Sequence, residues 1–332
     1  MAALPGPALV ISLDFELYWG VHDHIALAGY KENLLGVRQA APAILKLFER
    51  YKIHATWATV GFLFCRDRQE LLSSIPELKP HYIDSRLSPY ESLTQVGADE
   101  SEDPFHYAPS VIAMINGTPF QEIGTHTFSH YCCLEPEQNV AAFGSDLEAT
   151  RKLASKWKLE LKSIVFPRNQ YDDRNLGVCR EAGITAYRGN ERSWIYAGRT
   201  RKEERAIRRL LRLVDAYLNL TGHHTFSISP GPLCNFPSSR FLRPYCSRLQ
   251  WLEGMRLKRI LNALNFAAGS AQVYHLWWHP HNFGRHLPQN LAFLEEILQH
   301  FSKLRESHGM ESLNMGELAA RIHLPTPVGA SA

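Results

Sequence analysis

The sequence predicts an α/β fold in which a parallel sheet, closing into a distorted (β/α) barrel, is wrapped by helices. Two observations predict it. Short apolar, β-branched runs alternate with stretches whose apolar residues recur at helical spacing, and such alternation marks a parallel sheet or barrel. Several of these runs also end on carboxylates or histidines, and a parallel barrel carries its active-site residues at the C-terminal ends of its strands. Size and composition agree. A chain of 332 residues fits one barrel with inserted segments, and 45% apolar against 21% charged residues argues for a large core rather than disorder. We expect one catalytic domain spanning residues 1–332.

The elements follow in order. Ala8-Leu-Val-Ile-Ser-Leu13 reads as a buried strand, and it ends in Asp14-Phe15-Glu16. In extended chain, residues two apart point the same way, so both carboxylates can face one cavity. Val37, Ala41, Ile44, Leu45 and Phe48 form a helical stripe, and Pro42 is expected within the first turn of that helix. Ile53 to Val60 is the second strand. Residues 70–117 show scattered Pro, Asp, Ser and Tyr with weak periodicity, too long for a simple loop, and read as an insertion beside the cleft.

Pro119 to Gly124 reads as a strand leading into Thr125-His126-Thr127-Phe128-Ser129-His130. Two imidazoles four residues apart fall on one side of a helical turn and can share a metal ion. Ser145-Asp-Leu-Glu148 has the pattern of a capping box opening a helix. Ser163 to Phe166 and Ile184 to Tyr187 are further strands. Leu249 to Phe266 and Leu291 to Leu304 are amphipathic helices. The last strand, Val273-Tyr-His-Leu-Trp-Trp-His279, must stop before Pro280. Period two places His275 and His279 on one face, with His279 at the rim, His275 a layer deeper as a hydrogen-bonded core residue, and His281 in a loop.

Several classes are excluded. A net charge of +3 is too small to argue for nucleic acid. No apolar run reaches the ~18 residues of a membrane span. Six cysteines without C-x-x-C spacing read as free thiols in a reducing cytosol, and no basic n-region marks a signal peptide, so a cytoplasmic location is expected. One segment, the basic helix 201–218, is set apart. Ile207, Leu210, Leu211, Val214 and Leu218 form its apolar stripe, while Arg201, Lys202, Arg205, Arg208, Arg209 and Arg212 are basic. Such a helix can make a weak membrane-surface or phosphate contact, although a solvated face paired with Glu203 and Glu204 is the blander reading.

These landmarks resemble the polysaccharide deacetylase family, the NodB-homology domains of carbohydrate esterase family 4. Asp14-Phe-Glu16 resembles its first motif, His54-Ala-Thr-Trp-Ala-Thr-Val-Gly61 its second strand, and His126-Thr-Phe-Ser-His130 its H-[S/T]-x-x-H metal motif. Phe166-Pro-Arg168-Asn169-Gln-Tyr171 resembles the groove-lining third motif, and His279 the histidine of the fifth. Three departures stand out. Phe15 separates two carboxylates that are usually adjacent, Pro precedes Arg168 rather than following it, and Tyr187–Trp194 carries no Asp where the fourth motif falls. Asp215 could replace it, though it reads more simply as a solvated helix residue.

The resemblance implies a NodB-type barrel and a set of roles. Glu16, His126 and His130 are the expected ligands of a divalent metal, Zn2+ first, leaving an open coordination position. Asp14 is the expected base, held ionised by Arg168, and His279 the general acid; exchanged roles for Asp14 and Glu16 remain open. Asn169, Tyr171 and Trp194 are the expected substrate contacts. The implied activity is removal of an N-acyl group, N-acetyl first, from an amino-sugar-containing saccharide. The alternatives are hydrolysis of another small amide on the same barrel, or a catalytically decayed carbohydrate-binding protein.

Overall fold

The computed structural model describes residues 6–200, 203 and 206–323. At its centre β1 (Ala8–Phe15) pairs with β2 (Ala55–Thr59) on one side and with β8 (Val273–Trp278) on the other. Beyond β2 come β3 (Gln121–Thr125), β4 (Ser163–Val165), β5 (Ala186–Arg188) and β6 (Cys234–Asn235); beyond β8 comes β7 (Arg240–Phe241). A short β9 (Glu311–Ser312) pairs with the first residues of β1. All of these ladders are parallel. Residues 236–239 carry the chain from β6, against β5, to β7, against β8. Phe236 N–H donates to Tyr187 O and Ser239 N–H to His275 O, so this passage joins the two sheet edges into a distorted barrel.

The pleat of β1 separates two cores. Leu9, Ile11, Leu13 and Phe15 pack outward under the helices. Ala8 and Val10 pack inward with Ala58, Val165, Ala186 and Phe236, and Ser12 and Asp14 continue that inner face. The interior therefore turns from apolar at the N-terminal end to polar at the C-terminal end. Met315, Leu318 and Ala319 of α9 (Met315–His323) seal the apolar end.

The outer layer includes α1 (Leu27–Tyr51), α4 (Val140–Lys156), α5 (Asp173–Glu181), α7 (Glu253–Gly269) and α8 (Leu287–His308). Two expectations about helix starts are corrected. Pro42 lies deep inside α1 rather than in its first turn; an interior proline costs ~3 kcal/mol, which burial of Ala40, Ala41, Ile44 and Phe48 beside it offsets. α4 starts earlier than Ser145, at a cap where the Asn139 side chain accepts from Ala142 N–H at 2.8 Å.

The segment over 70–117 contains the end of α2 (Arg68–Ser73), two 3-10 turns and α3 (Pro109–Gly117). It lies against α1 and the β1 exit, where Trp19 Nε1 donates to His106 O at 2.9 Å and Arg38 Nη2 to Tyr107 O at 2.6 Å. Among the described residues, no helix is long and apolar enough to cross a membrane.

Candidate metal centre and its cleft

The polar end of the barrel gathers side chains from four strands. Glu16 follows β1, His126 and His130 follow β3, Arg188 ends β5 and His279 follows β8. Glu16 Oε2 lies 3.2 Å from Nε2 of His126 and 3.2 Å from Nε2 of His130. One ligand atom from each of these three buried residues falls within 4.8 Å of the others.

The loop carrying the histidines is not the expected helical turn. Thr127 and His130 adopt positive φ, 64° and 57°. Its amides are spent on side chains instead of an i→i−4 ladder. Thr127 Oγ1 accepts from Tyr131 N–H at 2.7 Å, and the buried Asp146 carboxylate accepts from the N–H groups of Phe128 (2.6 Å) and Ser129 (3.1 Å) and from the Ser129 hydroxyl. Burial lifts Asp146 to about 6 against these three donors. Asp146, within the supposed capping box, thus sets the spacing of the two imidazoles.

The donor set suits a divalent cation. His126 Nδ1 donates to Val165 O at 2.8 Å, which leaves the Nε2 lone pair facing Glu16. Burial lowers His130 to about 4, so its ring is neutral near pH 7. Burial alone would raise Glu16, but His279, His126 and His130 together hold it well below the usual carboxylate range. The Glu16 carboxyl group lies over Gly20, where a Cβ would stand closer than 3.0 Å to all three of its terminal atoms.

Asp14 is held by an arginine other than the expected one. Arg188 grips it bidentately, Nη1 to Oδ1 at 2.6 Å and Nη2 to Oδ2 at 2.8 Å. Burial opposes ionisation of Asp14, and Arg188 with His126 and His279 more than reverses it, so its pKa is lowered. The guanidinium also donates to Ser12 Oγ (3.1 Å) and Asn169 Oδ1 (3.2 Å) and stacks 4.1 Å over the Trp277 ring. Arg168 instead pairs with Asp23, from a turn in which Arg168 and Asn169 both adopt positive φ, 54° and 55°.

His279 Nε2 stands 3.5 Å from Glu16 Oε1 and 3.8 Å from Asp14 Oδ2. His275 is fully buried between Ser12 Oγ (2.9 Å) and Phe236 O (3.0 Å), and burial pushes it down to about 3. His281 is no loop residue: it stacks under His279 at 5.1 Å in a 3-10 turn, and burial pushes it to about 3 as well. Nor is Asp215 solvated. It is fully buried, paired with Arg240 at 2.7 Å and accepting from Tyr196 Oη at 2.7 Å.

A cavity of about 760 Å³ opens above the centre, lined in part by Asp14, Glu16, His126, His130, Asn169 and His279. No residue of the 70–117 segment lines it. Of the expected substrate contacts only Asn169 does. Tyr171 packs between Phe166 and Tyr187, at 5.1 and 5.3 Å, and Trp194 stands exposed, outside the lining. The cavity also takes Glu191, Arg199, Arg209, Arg212, Arg240 and Arg243, which sequence reasoning did not place there.

The basic helix is described from Ala206 as α6 (Ala206–Asp215); Arg201, Lys202, Glu204 and Arg205 lie outside the described residues. α6 buries Arg208, half-buries Arg212, exposes Arg209 and leaves part of its apolar stripe exposed. Arg208 is buried and donates to the carbonyls of Trp194 and Ala197, Arg212 donates to Ile195 O at 3.0 Å, and Ile207 and Leu210 are exposed.

No family model matches the chain, and no curated protein matches it in sequence. Solved structures do match in fold. A structure assigned to the polysaccharide deacetylases, from Mycobacterium smegmatis, is 13% identical with TM-score 0.60, covering 98% of this chain and 99% of that one. A second, from Pseudomonas aeruginosa PAO1, is 13% identical with TM-score 0.53, covering 98% and 96%. Puue allantoinase is 12% identical with TM-score 0.55, covering 99% and 96%. The fold is therefore the NodB-type deacetylase barrel, shared with a hydrolase of another name.

Proposed function

We propose that this chain is a metal-dependent hydrolase that removes an N-acyl group, N-acetyl first, from an amino sugar. The observation that carries the reading is the convergence of Glu16, His126 and His130 on one point, with Asp14 and His279 beside it, at the mouth of a polar cavity. Glu16 and the two imidazoles would hold the ion, for which Zn2+ is the first candidate from a His₂-carboxylate set. When bound, such an ion acidifies water and polarises an amide carbonyl.

The remaining chemistry belongs to the chain. Asp14, kept ionised by Arg188, takes the proton of the attacking water. His279, in its protonated form, delivers a proton to the departing amine from the rim. Arg188 cannot serve as the acid, since its guanidinium stays charged; it keeps Asp14 oriented, and Ser12 and Asn169 keep Arg188 oriented. All six cysteines are free thiols, which supports a reducing, cytoplasmic setting for the reaction.

The fold shared with an allantoinase favours a second reading, hydrolysis of another small amide. One experiment separates the readings. The purified protein is assayed for bound metal and for acetate or formate release from a panel of N-acyl sugars and small cyclic amides. Acyl release from a sugar, lost together with the metal in a His126→Ala, His130→Ala variant, is the expected result. Full metal occupancy in that variant sinks the ligand assignment, turnover of cyclic amides alone shifts the reading to the second substrate class, and a parent that binds sugar without turnover leaves a binding protein.

A further inference from the structure

The cavity holds two sets of charges with different neighbours. Asp14 has Arg188, His126 and His279 around it. Arg243 has Arg212, Arg256, Tyr196 and Tyr217. We propose that Arg199, Arg209, Arg212 and Arg243 form a second subsite in the same cavity that binds a phosphate group carried by the amino-sugar substrate. The inference rests on the deacylase reading and narrows it from sugars in general to phosphorylated ones.

The arginines in the cavity fall into two groups. Arg168 is neutralised by Asp23, and Arg240 by Asp215. Arg199 has Glu203 as an electrostatic neighbour, whereas among the described residues no carboxylate forms an ion pair with Arg209 or Arg243. Glu191 is the carboxylate that lines this part of the wall; it accepts from Trp277 Nε1 at 3.4 Å, and burial raises its pKa, which weakens it as a counter-ion. Arg243 is half-buried, and burial together with Arg212 and Arg256 pushes its guanidinium below the ordinary value. Arg256 is answered by Glu253, whereas Arg243 lines the cavity with like charge beside it, an arrangement that a bound anion would relieve.

The placement of α6 adds to this. Arg209 and Arg212 line the cavity from this helix, while Ile207 and Leu210 of its apolar stripe stay exposed. A neutral polymer would offer these guanidinium groups hydroxyl and amide acceptors but no charge. A single carboxylate brings one charge, whereas a phosphate ester or diphosphate brings one to two or more and matches the guanidinium fork bidentately. A cavity of about 760 Å³ lies within the range of small-molecule sites, large enough for a sugar and its phosphate to share.

The test compares binding of N-acetylhexosamine 1-phosphate and the neutral methyl N-acetylhexosaminide to the metal-loaded protein by calorimetry, at low and high salt. The phosphorylated sugar is expected to bind at least ~10-fold more tightly, as a charge-assisted contact should give, with the preference shrinking as salt rises. An Arg209→Glu, Arg243→Glu variant should lose the preference, and the milder Arg209→Gln, Arg243→Gln variant should show it reduced if the reversal unfolds the chain. Equal binding of the two sugars by the parent, or an unchanged preference in a folded variant, overturns the subsite. Adding nucleoside-diphosphate-linked and polyprenyl-diphosphate-linked sugars identifies the source, since the matching one gains further affinity. Phosphate preference in binding without acyl release from any sugar would reject the deacylase reading while leaving the subsite standing. Acyl release with equal binding of both sugars would do the reverse.

Discussion

Replacing Gly20 with alanine should remove the metal while leaving the fold in place. A Cβ at this position would stand closer than 3.0 Å to Cδ, Oε1 and Oε2 of Glu16, whereas ordinary contact begins at 3.4 Å. Gly20 has no positive φ to defend, so the substitution strains no backbone torsion. The clash is with the end of one side chain, and that side chain yields at small cost in stability. Its displacement is what matters. The carboxyl group must move by roughly 1 Å or more, against a tolerance of about 0.2 Å in metal–ligand distances. Glu16 is buried, with both His126 and His130 at 3.2 Å from one of its oxygens. Disturbing even the outer supports of a metal site costs ~10–100-fold in affinity, and displacing a ligand should cost at least that, or about 1.4–2.7 kcal/mol. The assay is competitive Zn2+ titration against a chelating dye, with thermal melting of the metal-free protein in parallel. The expected result is weakened metal binding with a melting temperature near the parent's. Parent-like affinity in a folded Gly20→Ala protein would refute the assignment of Glu16 as a ligand.

Two further outcomes follow from the same geometry. His279→Ala should lower kcat by about 10²–10⁴-fold, the range for a general acid, with metal content unchanged, and retention of activity across the pH profile would remove His279 from the mechanism. Acid should destabilise the fold through the buried imidazoles. His275 and His281 are each lowered to about 3 in the native state, so the unfolded chain binds protons near pH 6.5 that the native chain refuses. Stability is therefore full above pH 6.5 and falls as pH drops toward 3, by roughly 2 kcal/mol per imidazole between pH 7 and 5. Urea unfolding at a series of pH values in chelator reads this directly, and equal or greater stability at pH 5 would contradict it.

The rim of the barrel was legible because it obeys local rules. Strand ends show in the chain as apolar runs that stop, and Asp14, Glu16, His126 and His279 each follow one. Arg188 obeys the same rule, at the end of Ile184–Tyr187, so its place at the rim is legible by the same signal. The local conformation of the histidine loop was not legible. Four-residue spacing suits a helical turn, but Asp146 draws off the amides such a turn would use, and nothing in Ser145–Glu148 announces that role. The Pro42 and Ser145 expectations failed for a related reason, since tertiary packing overrides a local stop or start signal when enough apolar surface is buried.

Partnership was the least legible layer, because it is decided between distant parts of the chain. Arg188 reaches Asp14 across 174 residues and Ser12 meets His275 across 263. Arg168 and Arg188 carry the same charge and both stand at the end of a strand, so composition cannot choose between them; in the fold Arg188 meets Asp14 and Arg168, in a turn of two left-handed residues, meets Asp23. The helix at 206–215 makes the point most sharply. Its stripe predicts that apolar residues go in and arginines go out, and in isolation that is the cheaper arrangement. It is broken at Arg208, which goes in, and at Ile207 and Leu210, which stay out, because the barrel wall offers what the helix alone cannot see, namely the carbonyls of Trp194, Ile195 and Ala197. A helix held against its own amphipathic preference needs compensation from its surroundings. For Arg208 and Arg212 those carbonyls supply it, and Arg209, exposed at the cavity wall, is left to meet the anion proposed for the cavity.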